Sequence, residues 1–173
     1  MSSLAPLQSR TMSTGLAQRT LKNLNFIQQA HATGLADVHV ITQMMNSLLG
    51  LLVFPVKDEF HIPLKAVSLT NPPDFQAVRR SLPDFPILPS LTVALFEKCS
   101  NLSRFFTRLR NSISHKHLTF SGDPDSRCPT NVMLTFKDRK NDNTPFDWEI
   151  TMNAEDLEKL IRYVGDDIIN RQL

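Results

Sequence analysis

Cysteine, glycine, tyrosine and tryptophan are all scarce in this chain, and each scarcity removes a class of protein. Two cysteines, Cys99 and Cys128, in 173 residues are too few and too far apart for a disulfide framework. No bridge between them is expected, and a reducing, cytoplasmic setting fits. Five glycines exclude a glycine-rich phosphate loop and make a small glycine-turned barrel a poor guess. The longest apolar stretch, Leu48 to Phe54, falls far short of a membrane span, so no membrane contact is expected. The N-terminus lacks the charged-then-apolar order of a secretory leader. No histidine, cysteine or carboxylate spacing marks a metal centre. His115-Lys116-His117 has no third ligand at a telling distance, and Asp123 and Asp125 are ordinary loop acids. No metal and no cofactor are therefore expected.

What is present is enough for a packed core: 41% of the residues are hydrophobic and 21% charged, which reads as one globular domain. The net charge of +2 conceals a polarity. Between Phe96 and Leu118, the bases Lys98, Arg104, Arg108, Arg110 and Lys116 stand against Glu97 alone. From Asp138 onward acids outnumber bases. Clustered basic charge fits a polyanion groove; a solvated basic helix face paired with the acidic C-terminal segment is the competing account.

The apolar spacing predicts a mainly helical fold. Residues 1–15 read as a flexible tail, and residues 16–173 as a single domain. A first helix is expected from Leu16 to Ala32, with Leu21, Leu24 and Ile27 inward and Gly34 as its stop. A second is expected from Val38 to Phe54, capped by Asp37 and ended by Pro55. Residues 55–90 hold seven of the eleven prolines. They read as a long connection wrapped over the bundle, anchored by Phe60, Leu64, Phe75, Phe85 and Leu88, with short helical turns between Pro72 and Arg80. A third helix is expected from Pro89 or Leu91 through to Ser114. Val132, Leu134 and Phe136, then Phe146, Trp148, Ile150 and Met152, alternate as two strands of a hairpin around the polar loop Lys137–Pro145. His117–Phe120 is a candidate third short strand, so residues 117–152 form a β insert. Asn153 caps a last helix whose inward stripe is Leu157, Leu160, Ile161, Val164 and Ile168.

The chemistry concentrates in Arg110-Asn111-Ser112-Ile113-Ser114-His115, at the end of that third helix. At about 100° per residue, Asn111 and His115 share a face and Arg110 lies on its edge. Arginine is a permanent, forked cation suited to phosphate oxygens. Histidine carries a proton either way near neutral pH. Together they are the kinds of group that act on a phosphodiester without a metal. Two plainer accounts compete: His115 as a C-cap on the helix dipole, and Arg110 as an ion pair with Asp166 or Asp167. His31, His39 and His61 read as structural or surface residues.

Arginine, four residues, histidine, with asparagine directly after the arginine, resembles the motif of HEPN-family ribonucleases, small helical domains of toxin–antitoxin, CRISPR and phage-defence systems. Arg19–Ile27 (RTLKNLNFI), Val40–Pro55 (VITQMMNSLLGLLVFP) and Phe146–Ile150 (FDWEI) also resemble, in order, segments of a HEPN branch carried on plasmids and mobile elements. The likeness spans roughly residues 16–172. It implies an up-and-down HEPN-like helical bundle, here with a small antiparallel hairpin or sheet before the last helix.

The resemblance also implies a mechanism. In a HEPN homodimer two motifs face each other, so two His115 and two Arg110 line one cleft. His115 would transfer protons, Arg110 would hold or stabilise the phosphate, and Asn111 would orient His115 or the scissile group. Arg108, Ser114, Lys116 and His117 would be substrate contacts. The expected activity is metal-independent endoribonuclease cleavage by 2′-hydroxyl attack, in a bacterial toxin or anti-phage effector. RNA, a second copy and an antitoxin or defence-system partner are the implied partners. The alternative within the family is a non-catalytic dimer that binds RNA or protein. Outside it stands an adaptor working through segment 55–90. In one HEPN toxin class a tyrosine two residues after the histidine is modified by a partner enzyme. Here that place holds His117 and the single tyrosine is Tyr163, so that control is not expected.

Overall fold

The computed structural model describes residues 4–34, 40–53, 64–122 and 129–170. In chain order these form α1 (Leu4–Thr33), α2 (Val40–Val53), α3 (Phe75–Ser81), β1 (Thr92–Phe96), α4 (Leu102–Ser114), β2 (Leu118–Ser121), β3 (Met133–Asp138), β4 (Trp148–Asn153) and α5 (Ala154–Asn170), with a single 3-10 turn at Pro129–Asn131. Helices α1, α2 and α5 pack on one another, and α4 lies between α2 and strand β3.

The strands make one antiparallel sheet in the order β1-β4-β3-β2. It is larger than the expected hairpin, and its first strand comes from the segment read as the start of the third helix. The apolar positions Leu95, Cys99, Leu102, Phe106, Leu109 and Ile113 keep a helical spacing across the whole stretch. That spacing hides the period-2 run Leu91, Val93, Leu95 just after Pro89. Strand β1 pairs Val93 with Ile150 and Phe96 with Trp148, with an irregularity between Val93 and Leu95. The chain then turns through Lys98, at φ 57°. Helix α4 begins only after Asn101, whose side chain accepts the Arg104 N–H at 2.9 Å. The β region thus brackets α4 on both sides and is wider than residues 117–152.

The β3–β4 hairpin follows the parity of its sequence. Leu134 faces Met152 and Phe136 faces Ile150, and these side chains are fully buried with Trp148. Helix α5 starts where Asn153 accepts the Asp156 N–H, and its five expected stripe residues are all buried. The N-terminal segment departs from expectation. Helix α1 begins at Leu4 rather than Leu16; Pro6 in its first turn needs no N–H partner, and Leu7, Gln8, Arg10 and Met12 favour the helix against the serines and threonines between them. Leu24 is buried in α1, and a Cβ on Gly165 of α5 would come within 2.9 Å of Leu21, so a glycine lets these two helices approach. In the proline-rich connection the helical turn is α3, capped by Asp74, and Leu64 and Phe85 are buried anchors. Asp37, His39, Pro55, Phe60, His61 and Cys128 lie outside the described residues.

Among the described residues no helix is long and apolar enough to cross a membrane.

Candidate functional site

Helix α4 delivers the motif. Its inner face, Leu102, Phe105, Phe106, Leu109 and Ser112, is buried, which leaves Arg110 and Asn111 half-buried at its edge and Ser114 and His115 exposed at its end. The end is a left-handed cap. The Lys116 N–H donates to the Ile113 carbonyl at 3.2 Å and the His117 N–H to the Ser112 carbonyl at 2.8 Å. This double bond pattern normally uses glycine at the turning residue, yet here the turning residue is Lys116, at φ 59°. The turn folds the chain back so that His117 stacks on His115, with ring centroids 5.9 Å apart at 24°. His115 is therefore the helix C-cap residue, as the plainer account holds, and its exposed imidazole stands beside a second one.

Beneath the motif runs a chain of polar contacts. Arg108 Nη1 donates to Asp147 Oδ1 at 2.7 Å and to Asp138 Oδ2 at 3.0 Å. The same Asp138 oxygen accepts from Asn111 Nδ2 at 3.3 Å, and Asn111 Oδ1 accepts from Arg110 Nη2 at 3.0 Å. A carboxylate only accepts, so Asp138 fixes which way the Asn111 amide points and turns its carbonyl toward Arg110. Ser112 Oγ donates to the Lys137 carbonyl at 2.7 Å, with the Arg108 carbonyl also in reach, and so ties α4 to β3.

Arg108 was expected at the substrate; the structure corrects that. Its side chain is 1% exposed and sits on two carboxylates, so it holds the sheet to the helix and has no open path to a ligand. Burial works to raise the Asp147 carboxyl, but hydrogen bonds from Arg108 and Lys98 outweigh it and hold the group below its ordinary range. The Cys99 thiol nearby is pushed up to about 12 by burial, with Arg108 and Arg104 pulling weakly the other way. Of the basic charge counted around the motif, Arg108 is thus neutralised internally. Arg110's partner among the described residues is Asn111. Asp166 and Asp167 line a separate cleft of about 570 Å³ with Asp84, Lys159, Arg162 and Tyr163, none of which belongs to the motif.

A further surface borders the histidines. Phe146 meets His117 edge to face at 5.1 Å and remains 36% exposed. Arg139 lies 5.1 Å from the centre of its ring and Lys137 6.0 Å. Sequence reasoning missed Asp138, Asp147 and Phe146 as site residues. The signal for Asp138 was parity: it continues the inward series Leu134, Phe136 of β3, where an acid demands a buried partner. No local signal paired Asp147 with Arg108, which stands 39 residues earlier. Phe146 shares the parity of Trp148, but β4 begins only at Trp148 and leaves it outside the core. Among the described residues, no group of three histidine, cysteine or acidic side chains is placed to hold a metal ion.

The chain is thus a set of packed helices beside a four-stranded antiparallel sheet, with Arg110, Asn111 and His115 at the end of the internal helix α4. The family model HEPN pEK499 p136 matches residues 1–173, and the chain belongs to that family. No curated protein and no solved structure matches it.

Proposed function

We propose that the protein is a metal-independent endoribonuclease, a toxin or anti-phage effector, whose composite site forms across a homodimer. One observation carries this reading: the Arg110, Asn111 and His115 set is intact, accessible at a helix end, and its arginine is held by Asn111, which is itself anchored on Asp138.

Cleavage without a metal needs a base, an acid and a cation. The base takes the 2′-hydroxyl proton as that oxygen bonds to the adjacent phosphorus. The acid gives a proton to the 5′-oxygen as its bond to phosphorus breaks. The cation offsets the charge gathering on the phosphoryl oxygens. One His115 and one Arg110 cannot fill both proton roles and the electrostatic one. Two copies meeting about a two-fold axis supply two histidines and two arginines. His115 of one subunit then acts as base and that of the other as acid, while Arg110 grips the phosphate. Asn111 positions Arg110. Ser114, Lys116 and His117 lie where they would contact RNA next to it. The products are a 2′,3′-cyclic phosphate and a 5′-hydroxyl.

The test is cleavage of labelled total and transfer RNA in EDTA by the wild type, His115→Ala and Arg110→Ala. Chelator-resistant cutting that both substitutions abolish, with cyclic-phosphate ends, supports the reading. A folded, dimeric wild type that cuts nothing in these RNAs would sink it in favour of a non-catalytic RNA- or protein-binding module.

A further inference from the structure

We infer that Phe146 and Arg139, beside the motif, form a shelf that stacks an unpaired nucleobase of the RNA substrate next to the scissile phosphate. The inference rests on the ribonuclease reading for the identity of the ligand, and on separate residues for its geometry.

Phe146 is one of four large apolar side chains left exposed among the described residues, and a row of rings joins it to the motif. His115 stacks on His117, His117 meets the edge of Phe146, and the guanidinium of Arg139 lies over the Phe146 ring. The row is assembled from the α4 cap, the start of β2, the end of β3 and the lead into β4. Hydrophobic burial does not explain it, since a ring 36% exposed with two cations above it is not a core residue. The polar groups around it are also underused. His117 Nδ1 and Arg139 Nε are shielded from solvent and have no hydrogen-bond partner among the described residues. Lys137 is paired with Glu149 at 3.1 Å, but the acid nearest Arg139 is Asp142, at 3.5 Å and largely exposed. Arg139 is thus weakly neutralised.

Rings flanked by guanidinium groups suit single-stranded RNA. Unpaired bases stack on aromatic and guanidinium planes, and the adjacent phosphates favour the same cations. A duplex hides its base faces and offers nothing to such a shelf. A phosphate held at Arg110 and His115 leaves the neighbouring nucleotide to lie along the row toward Phe146. The shelf therefore selects unpaired sites and contributes to base preference.

The test is equilibrium binding by the full chain in EDTA, in a His115→Ala background so that the probe survives. The probes are fluorescein-labelled oligoadenylate and oligouridylate, and a duplex RNA of equal length. Single strands are expected to bind in preference to the duplex. Phe146→Leu is expected to weaken single-strand binding roughly tenfold, and Phe146→Tyr to keep it, because tyrosine retains the stacking face. Arg139→Gln is expected to weaken binding and to reduce its salt dependence by about one phosphate contact, whereas Phe146→Leu leaves the salt slope unchanged. Equal affinity of Phe146→Leu and its background, equal binding of duplex and single strand, or equal loss in the leucine and tyrosine variants would each overturn the shelf. The two readings fail separately. Intact EDTA-resistant cleavage with no Phe146 effect on binding removes the shelf alone. Absent cleavage with aromatic-dependent single-strand binding removes the ribonuclease alone.

Discussion

The amide of Asn111 and the carboxylate of Asp138 meet at 3.3 Å, and through this contact the sheet sets the geometry of the motif. Asp138 belongs to β3, Asn111 to α4, and Arg110 hangs from the other end of the same amide. Asp138 also shares the buried charge of Arg108. One carboxylate therefore serves both the stability of the helix–sheet joint and the aim of the motif arginine.

Arg108→Leu is expected to destabilise the protein by about 3–5 kcal/mol, since it leaves Asp138 buried without its cation and Asp147 with Lys98 alone. The triple change Arg108→Leu, Asp138→Asn, Asp147→Asn is expected to cost less than the single one, because the charges leave together. Urea unfolding of the two variants and the wild type measures both. At a temperature where Arg108→Leu stays folded, its RNA affinity should keep the wild-type salt slope. A slope reduced by one contact would return Arg108 to the substrate.

Two substitutions on different chains probe the composite site. His115→Ala and Arg110→Ala proteins, each inactive alone, are mixed and allowed to exchange subunits. Heterodimers then hold one cleft lacking one histidine and one arginine, not two of either. Because one histidine and one arginine cannot fill both proton roles and the electrostatic one, these heterodimers are expected to stay inactive. An excess of His115→Ala mixed into wild type should lower activity below the share of wild-type chains as single-histidine heterodimers form. Fully wild-type activity in a protein that sedimentation shows to be monomeric at working concentration would remove the two-fold site.

Acid should loosen the joint through Asp147. Its carboxyl titrates below the ordinary value of 3.8 in the folded protein. The stability it contributes is therefore complete above that value and is lost as pH falls through the lower, folded one. Asp147→Asn is expected to show a flatter decline of the urea midpoint between neutral pH and pH 3 than the wild type, from a lower starting point. Parallel declines would mean that the loss comes from other carboxylates.

Alkali should act through Cys99 in the opposite sense. Its thiol keeps its proton up to about 12 when folded, against an ordinary value of 9.0. The unfolded chain releases that proton first, so stability falls as pH rises from 9 toward 12. In a Cys128→Ser background the native protein at pH 8 is expected to resist a thiol reagent that modifies it fully once unfolded. Cys99→Ala should lessen the alkaline decline. Rapid labelling of the native protein would show that Cys99 opens to solvent.

These dependences divide what sequence reveals from what it conceals. The β3–β4 hairpin and α5 were readable because each states its own rule locally: alternation from Val132 to Phe136 and from Trp148 to Met152, then Asn153 as a cap before an acidic first turn. Strand β1 was concealed because Leu95 and Cys99 continue the helical spacing of α4 backwards past Asn101, and a short apolar run satisfies either period. The motif itself was readable as Arg110, Asn111 and His115. Arg108, two residues earlier, was misjudged because its partners stand 30 and 39 residues away, on a strand end and a loop that only the fold brings to it. Local pattern finds a face; it does not find a partner across the sheet.

Lys116 offers the sharpest separation of stability from function. Its backbone occupies the left-handed region that a side chain resists, so Lys116→Gly should relieve about 1 kcal/mol of strain, less the added freedom of glycine in the unfolded chain. The expected result is a melting temperature unchanged or raised by roughly 2–4 °C. The same change removes a cation that lies between His115 and His117 in the sequence, and slackens the turn that brings those rings together. Cleavage and single-strand RNA binding should both weaken in a protein that is no less stable. Lys116→Asn, which tolerates the left-handed turn but carries no charge, separates the two causes. If asparagine behaves as glycine does, the charge matters; if asparagine behaves as the wild type does, the rigidity of the turn matters. A glycine variant that melts lower would show that the lysine side chain holds the cap in a way its backbone angle does not reveal.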